Sequence, residues 1–397
     1  MIDTLLDWVS LLVRWTHVMA GIAWIGSSFY FIALDAGLQS DARLDPRVKG
    51  EAWQVHGGGF YNIQKFMVAP DFMPEHLTWF KWEAYSTWIF GFALLVLVYY
   101  LSPSIYLIDS AVMPLSPMAA DLVGAGSLAA GWIVYDRLCR SWFGKETGRL
   151  AVAGFTLLVA VTFAYTHVFS GRGAFIHLGA LVGSIMVGNV FFIIIPNQKR
   201  TVAALLKGQE PDPVWGEQAK QRSVHNNYLT LPVVFTMLSN HYAFTYSSRF
   251  DWLILACIFI ASFLVRHWFN TMHAGARPDW RLWPAAAVPV LVAAALSIAG
   301  QASLPGAGAR TVNFAEVRPI IDQRCHVCHA ARPQFPGFSE APKGVMFDTP
   351  AEIQRLALQI MAQAVTTHTM PLGNVTGITD EERAVLGGWI AGGARLN

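Results

Sequence analysis

The sequence predicts an all-α protein, a polytopic membrane bundle of about eight helices followed by a small helical domain. Three observations lead to this fold class. Hydrophobic residues make up 54% of the chain and charged residues only 14%, a balance typical of membrane proteins. Apolar runs of about 20 residues, the length that crosses a bilayer, recur as far as residue 300. After that point the chain becomes polar and carries two closely spaced cysteines.

The membrane domain is predicted to be residues 1–300, which contain eight apolar runs of sufficient length. These runs are 8–34, 83–103, 118–139, 149–169, 173–196, 226–247, 251–273 and 283–300. The first run is too long and too aromatic for a signal peptide, so we expect it to stay in the mature protein. Residues 301–310 are predicted to be a linker, and residues 311–397 a separate domain.

Basic residues in the short loops predict the orientation, because Lys and Arg concentrate on the cytoplasmic side. One set of alternate loops is rich in them, whereas the other set holds only Arg172 and Arg249. Eight spans with this bias place both termini in the periplasm of a bacterium. The lipid bilayer of the inner membrane is therefore an expected partner. A net charge of +2 gives no indication of nucleic acid.

The C-terminal domain contains the sequence CHVCH, the spacing of a c-type haem attachment site. Cys325 and Cys328 provide thiols that add to the two vinyl groups of the porphyrin, and His329 follows directly to bind the iron. A zinc site would need a second ligand pair, which the tail lacks, and a thioredoxin-like pair would need a βαβ context. These three residues are therefore predicted to hold one covalent haem c in the periplasm.

The rest of this domain offers helices and a second iron ligand. Three helix starts carry the pattern of a capping box. They are Asn313 with Glu316, Thr349 with Glu352, and Thr379 with Glu382. Met370, on a loop and followed by proline, is the predicted second ligand, since Met/His ligation raises the potential. Packing of Met370, with His368 or water as the ligand, stays an alternative, and His326 is expected to be solvated.

Residues 311–397 resemble a class I cytochrome c domain through CHVCH, MPLGN and TDEERAVLGGWI.

Four histidines fall towards the periplasmic half of the predicted spans: His17, His177, His241 and His167. Ionisable groups in a bilayer are costly and mark function by default. Small residues around His17 and His177 would let a flat ring approach, so the four are candidate axial ligands of one or two haems b. His167 ranks last, because it lies nearest the interface. For each histidine alone, a hydrogen bond between helices is the competing interpretation.

The long first cytoplasmic loop is too aromatic for a solvated linker. Its three glycines at 57–59 permit close backbone approach to a ligand, and Gln64 follows them. An interfacial amphipathic segment is the competing interpretation. Glu83 belongs to the same segment. His225 and Arg266 bring further polar groups into the sixth and seventh predicted spans, where such groups should line a cavity.

Along its length the chain resembles the integral-membrane, cytochrome c-linked urate oxidases (urate hydroxylases) of bacteria. The resemblance rests on the order of parts and on HGGGFYNIQKF, WFKWEAYSTW, GNVFFIIIPNQ and HNNYLTLPVVFTMLSNH. It implies oxidation of urate to 5-hydroxyisourate with water as the oxygen source. Electrons would pass through haem c to a soluble cytochrome c or a terminal oxidase, without hydrogen peroxide.

Urate is a planar anion that needs a stacking face, an Arg or Gln clamp and a base. Glu83, His225, Arg266 and Gln64 are therefore the candidate catalytic residues. Urate gives two electrons whereas a haem accepts one at a time, which favours at least one haem b as a further acceptor. Two other functions stay open: a quinol-oxidising respiratory haem enzyme, and a non-catalytic electron-transfer or anchor subunit.

Overall fold

A computed structural model describes residues 2–68, 70, 73–300, 312–336 and 338–396, so the predicted linker 301–310 lies outside the described residues. Residues up to 300 are called the bundle below, and residues 312–396 the tail. The helices of the bundle are α1 (Ile2–Ala36), α2 (Trp82–Leu95), α3 (Pro103–Tyr106), α4 (Pro117–Arg140), α5 (Thr147–Thr166), α6 (Gly171–Gly188), α7 (Ile195–Leu206), α8 (Pro213–Ser239), α9 (Asp251–His273) and α10 (Leu282–Ala299). Those of the tail are α11 (Phe314–Arg324), α12 (Pro350–Arg355), α13 (Ala357–Ile360) and α14 (Asp380–Ala391). Three π-helical segments extend α2, α6 and α13, namely Val96–Tyr100, Asn189–Ile194 and Met361–Thr366.

Within the described part of the chain, seven helical segments are long and apolar enough to cross a membrane. They are Leu5–Ala36, Trp82–Tyr100, Pro117–Arg140, Thr147–Thr166, Gly171–Leu206, Asp251–His273 and Leu282–Ala299. The eighth predicted run, 226–247, is wrong as an apolar span. Its first part belongs to α8, which begins at Pro213 and ends at Ser239. Polar residues along α8 make this helix less apolar than the other seven.

Helix α8 nevertheless runs from one end of the bundle to the other. Near its start, Arg222 Nη2 lies 2.8 Å from Asp136 Oδ1, close to the C-terminal end of α4. Just beyond its end, Asn240 Oδ1 accepts a hydrogen bond from Arg172 Nε at the start of α6, at 2.9 Å. Between these points α8 packs against α6 and α9. Arg222 and Asn240 therefore meet protein partners inside the bundle, as apolar surroundings require.

The long first loop contains an antiparallel hairpin, where an all-α fold was predicted. Its strands are β1 (Val48–His56) and β2 (Gly59–Phe66). Gly57 and Gly58 form the turn with φ of +61° and +80°, a conformation that glycine adopts without strain. No described atom lies within 4 Å of a Cβ built on either glycine. These glycines therefore make a turn, which is a simpler role than the predicted approach to a ligand.

The tail has its own apolar core, and its helices begin where the sequence predicted. All three capping boxes are present, at Asn313, Thr349 and Thr379. Leu386 of α14 is fully buried, and the neighbouring Trp389 is 2% exposed. These side chains pack with residues of α11, α12 and α13. Cap signals and one apolar face thus define the tail helices together.

The tail touches the bundle through the loop that follows Met370. Residues Leu372–Asn374 pack against α3. Gly373 comes so close that a Cβ built on it would lie 2.6 Å from the Ile108 carbonyl oxygen. The hydroxyl oxygens of Thr369 and Ser247 lie 3.4 Å apart. The Met370 loop is therefore a part of the tail that faces the bundle.

Candidate functional site

The predicted haem-attachment residues lie in a tight turn directly after α11. The backbone N–H groups of Cys328 and His329 donate to the Cys325 carbonyl oxygen, at 3.2 and 3.0 Å. The turn keeps two thiols and one imidazole within a single helical turn. Cys325 also packs against the tail core.

The His329 ring is oriented by a backbone group. Its Nδ1 lies 3.0 Å from the Val345 carbonyl oxygen. A carbonyl can only accept, so Nδ1 carries the proton and Nε2 keeps the lone pair that binds a metal. Burial lowers the pKa of His329, against an opposing effect of the Val345 hydrogen bond. The imidazole therefore stays neutral at pH 7, the form that an iron ligand needs.

The two thiols lie in surroundings that keep them protonated. Burial raises the pKa of the Cys325 thiol to about 12 and also raises the pKa of Cys328. A disulfide-exchanging pair needs a thiolate of lowered pKa, so these surroundings do not favour the thioredoxin-like alternative. Among the described residues, no three His, Cys, Asp or Glu side chains form a group that could hold a metal ion. The set of two thiols and one oriented imidazole fits a covalently attached haem.

Met370 is fixed by main-chain hydrogen bonds. Its N–H donates to the Gln363 carbonyl oxygen, and its carbonyl oxygen accepts from Arg383 Nη1, both at 2.9 Å. Arg383 is 5% exposed and holds this loop from α14. The Met370 side chain packs against the tail core. Its role as the second iron ligand, against the alternative of His368, stays a prediction.

His326, expected to be solvated, has a protein partner instead. Its Nε2 lies 3.0 Å from Asp348 Oδ1, and both side chains are about one-third exposed, at 33% and 35%. The hydrogen bond from His326 lowers the pKa of Asp348. Asp348 also accepts from the Ala331 N–H at 3.0 Å. This contact ties the attachment motif to the segment before α12.

His177 is fully buried in the bundle. Its Nδ1 donates to the Gly173 carbonyl oxygen at 2.9 Å, and its Nε2 lies 3.1 Å from the Tyr100 hydroxyl. A Cβ built on Gly124 would lie 2.8 Å from Nε2. With Nδ1 bonded to a backbone carbonyl, Nε2 is the ring nitrogen that faces Tyr100 and Gly124. Aromatic rings, among them Phe169 at 4.8 Å between centroids, fill the space around it.

His17 has a similar arrangement on α1. Its Nδ1 lies 2.8 Å from the Thr87 carbonyl oxygen, and a Cβ built on Gly91 would lie 2.7 Å from its Cε1. Trp88, the residue after Thr87, donates to Ser184 Oγ at 2.9 Å. His17 and Ser184 of α6 therefore lie beside the same turn of α2. His177 is seven residues from Ser184, about 10 Å along a helix. The structure therefore does not place His17 and His177 on opposite faces of one ring.

The other two candidates lie near the end of the bundle that faces the tail. His167 Nδ1 bonds to the Phe163 carbonyl oxygen at 2.8 Å, and their rings lie 4.1 Å apart. His241 is exposed. The membrane haem and its ligands stay a prediction.

Two of the four predicted catalytic residues lie in separate polar clusters inside the bundle. Arg266, 4% exposed, donates from Nε to Asn227 Oδ1 at 2.8 Å. His225 Nδ1 lies 2.6 Å from the Tyr135 hydroxyl, which accepts from Asn189 Nδ2 at 3.2 Å. No described contact joins the two clusters directly.

The other two predicted catalytic residues lie elsewhere. Gln64 is exposed on β2, where its Nε2 lies 3.5 Å from Glu51 Oε2. Glu83 lies in the first turn of α2, with its Oε2 buried and without a hydrogen-bond partner among the described residues. The structure does not bring these four side chains together into one site.

These features define a helix bundle with seven described segments long and apolar enough to cross a membrane and with polar clusters between its helices, followed by a helical tail with an oriented Cys-x-x-Cys-His motif. The family model Urate oxidase N-terminal matches residues 3–298. The chain belongs to this family, which associates it with urate oxidation and so with oxidoreductase chemistry. No curated protein and no solved structure matches the chain.

Proposed function

We propose that this protein oxidises urate to 5-hydroxyisourate in the bacterial inner membrane and passes the electrons through haem c to the respiratory chain. A soluble cytochrome c or a terminal oxidase would accept them. Family membership supports the urate part. The observation that carries the electron-transfer part is the 3.0 Å hydrogen bond from His329 Nδ1 to Val345. It orients the imidazole of a haem-attachment motif as iron ligands are oriented.

The reaction adds one oxygen atom from water to urate and releases two protons and two electrons. Oxygen is not consumed, so hydrogen peroxide is not a product. When bound, haem c accepts electrons one at a time. Cys325 and Cys328 would hold it, with His329 and Met370 as iron ligands.

The position of the tail supports this route. The Met370 loop faces the bundle at α3, and Ser170 N–H donates to the Leu107 carbonyl oxygen at 2.9 Å in the segment that follows α3. Ser170 directly precedes α6, which carries His177. One or two haems b at His17, His177, His241 and His167 would connect the interior of the bundle with the tail.

The proposed topology follows from α8. Seven apolar helical segments together with α8 give eight crossings, an even number that puts both termini on one side of the membrane. The tail packs on α3, after α2, and Thr369 lies beside Ser247, before α9. Both contacts are at loops that the charge distribution assigns to the periplasm, so the tail would lie there.

The test is an anaerobic titration of purified protein with urate while the reduced c-type and b-type haem bands are recorded. Reduction of the c-type band without oxygen is the expected result. His329→Ala should abolish it, whereas His326→Ala, in the same motif, should retain it. If urate leaves the haem oxidised while a quinol reduces it, the quinol-oxidising alternative replaces the proposal. Pyridine haemochrome analysis that finds haem c alone would remove the membrane haem.

A further inference from the structure

The polar cluster of Arg266, Asn227 and Asn270, between α8 and α9, allows only one assignment of hydrogen-bond donors and acceptors. Arg266 Nε and Asn270 Nδ2 both donate to Asn227 Oδ1, at 2.8 and 2.9 Å. Arginine can only donate, so Asn227 must present its oxygen here, which leaves its Nδ2 free. Asn270 must then present its nitrogen to that oxygen, which leaves its own Oδ1 free. The Arg266 guanidinium therefore determines which way the side-chain amides of Asn227 and Asn270 are turned.

Three further polar atoms of these side chains are buried without a described partner. Asn227 Nδ2, Arg266 Nη2 and Asn270 Oδ1 have no hydrogen-bond partner among the described residues. Asn227 is 0% exposed and Arg266 is 4% exposed. Buried polar groups are normally satisfied, so three buried atoms without a described protein partner, on side chains that share one amide oxygen, mark a place where a ligand or water can bind. The set contains two donors, one of them charged, and one acceptor.

The cluster lies between α1, α8 and α9. The Arg266 guanidinium packs 3.8 Å from the centroid of the Phe29 ring on α1. Arg266, Asn270 and His273 follow one another at spacings of four and three residues, so they lie on one face of α9. His273 is the last residue of α9, and its Nδ1 is also buried without a described partner. A polar stripe thus leads from the helix end to Arg266, a distance of about 10 Å.

We infer that Arg266, Asn227 and Asn270 form the binding site for the substrate, a planar heterocyclic anion that presents carbonyl oxygens beside a ring N–H. The carbonyl oxygens would accept from Arg266 Nη2 and Asn227 Nδ2, and the ring N–H would donate to Asn270 Oδ1. Urate has such edges, with alternating carbonyl and N–H groups. This inference rests on the proposed function for the identity of the substrate.

The free acceptor, Asn270 Oδ1, makes the site selective for a ligand that carries an N–H donor over a simple anion. A halide or a fully ionised oxyanion offers only acceptors, so it could satisfy Arg266 and Asn227 but would leave Asn270 Oδ1 unpaired. Sites with a buried group that must be hydrogen-bonded reject analogues that lack the matching group. Methylation of the ring nitrogen that meets Asn270 should therefore weaken binding.

The experiment measures the dissociation constant of radiolabelled urate by equilibrium dialysis against the full-length, haem-loaded protein in detergent. Arg266→Gln should weaken binding about 10- to 100-fold, the usual effect of losing a hydrogen bond to a charged group. Arg266→Lys keeps the charge but not the planar guanidinium, so its dissociation constant should lie between those of the wild type and Arg266→Gln. The matched control is Arg172→Gln, because Arg172 Nε bonds to Asn240 Oδ1 in the same way, at 2.9 Å. This control should bind urate as the wild type does.

A second readout tests Asn270 by selectivity. The set of N-methylurates is compared with urate on the wild type and on Asn270→Ala, which removes the acceptor. The wild type should discriminate against one methylurate, and Asn270→Ala should lose that discrimination while its haem content is unchanged.

The outcomes separate the inference from the proposed function. Wild-type affinity for urate in both Arg266→Gln and Asn270→Ala would overturn the site and mean that water occupies it. If urate still reduces the wild-type haem in that case, the proposed function stands. If the wild type neither binds urate nor is reduced by it, the proposed function and the inference fail together.

Discussion

The buried ion pair between Arg222 and Asp136 predicts a large loss of stability in Asp136→Asn. The Arg222 side chain is 3% exposed and that of Asp136 is 11% exposed, and their charged atoms lie 2.8 Å apart. The substitution keeps the shape of the side chain but leaves the guanidinium without its counter-charge. Breaking a buried pair in this way costs about 3–5 kcal/mol.

The other contacts of Arg222 place the expected value near the lower end of that range. Its Nη1 lies 3.5 Å from Asn189 Oδ1, and its guanidinium lies 5.0 Å from the centroid of the Tyr135 ring. Both contacts remain in the variant. We therefore expect a loss of about 3 kcal/mol, which corresponds to a thermal midpoint lower by roughly 5–10 °C.

The assay is thermal unfolding of the detergent-solubilised protein, with all variants heated at one scan rate because such transitions are seldom reversible. Asp35→Asn is the control, since its pair with Lys65 is exposed, at 54% and 41%, and should contribute about 0–1 kcal/mol. Asp136→Leu combined with Arg222→Met removes both charges and should recover most of the loss. The reasoning is refuted if Asp136→Asn unfolds with the wild type, or if the double variant is no more stable than Asp136→Asn.

Two further substitutions have matched controls on the same element or in the same part of the chain. Gly124→Ala should lower the thermal midpoint and the intensity of any b-type haem band relative to haem c, because its Cβ would lie 2.8 Å from His177 Nε2. Gly126→Ala is the control and should change neither quantity, because no described atom lies within 4 Å of a Cβ built there. Equal behaviour of the two variants would contradict the role of Gly124. Leu386→Ala should destabilise the tail by about 2–5 kcal/mol in denaturant unfolding followed through the haem absorption. Leu358→Ala should have little effect, because Leu386 is fully buried whereas Leu358 is 80% exposed.

Helix positions in the tail could be predicted closely from the sequence, because their start signals are local. Asn313, Thr349 and Thr379 each meet a glutamate three residues later, and this reciprocal hydrogen bonding depends on neighbours in the chain alone. The hairpin of β1 and β2 was missed. Its strands lack strict alternation of apolar and polar residues, and three consecutive glycines at 57–59 are compatible with a ligand contact as well as with a turn. A glycine pair between two aromatic-rich segments was the available turn signal.

The candidate site was predicted only in part, because partners come from distant helices. The sequence indicates that Arg266 and His225 are polar residues in predicted spans. It does not indicate that Arg266 bonds to Asn227, or that His225 bonds to Tyr135. Asp136 was overlooked, although an acidic residue at the end of an apolar run was a signal for a buried partner. Gln64 was grouped with Arg266 by chemistry, whereas the hairpin places it on an exposed strand.

The polarity of α8 has a consequence for the biogenesis of the protein. A helix with Arg222, Asn226 and Asn227 on its buried side gains little from partitioning into lipid by itself. Its favourable contacts are with Asp136 of α4 and with Met186 of α6, whose carbonyl oxygen accepts from Asn226 at 2.9 Å. Both helices precede α8 in the chain, so they are available when it leaves the ribosome. Insertion of α8 should therefore depend on a preassembled half-bundle, and a chain that lacks α4 should leave α8 outside the membrane.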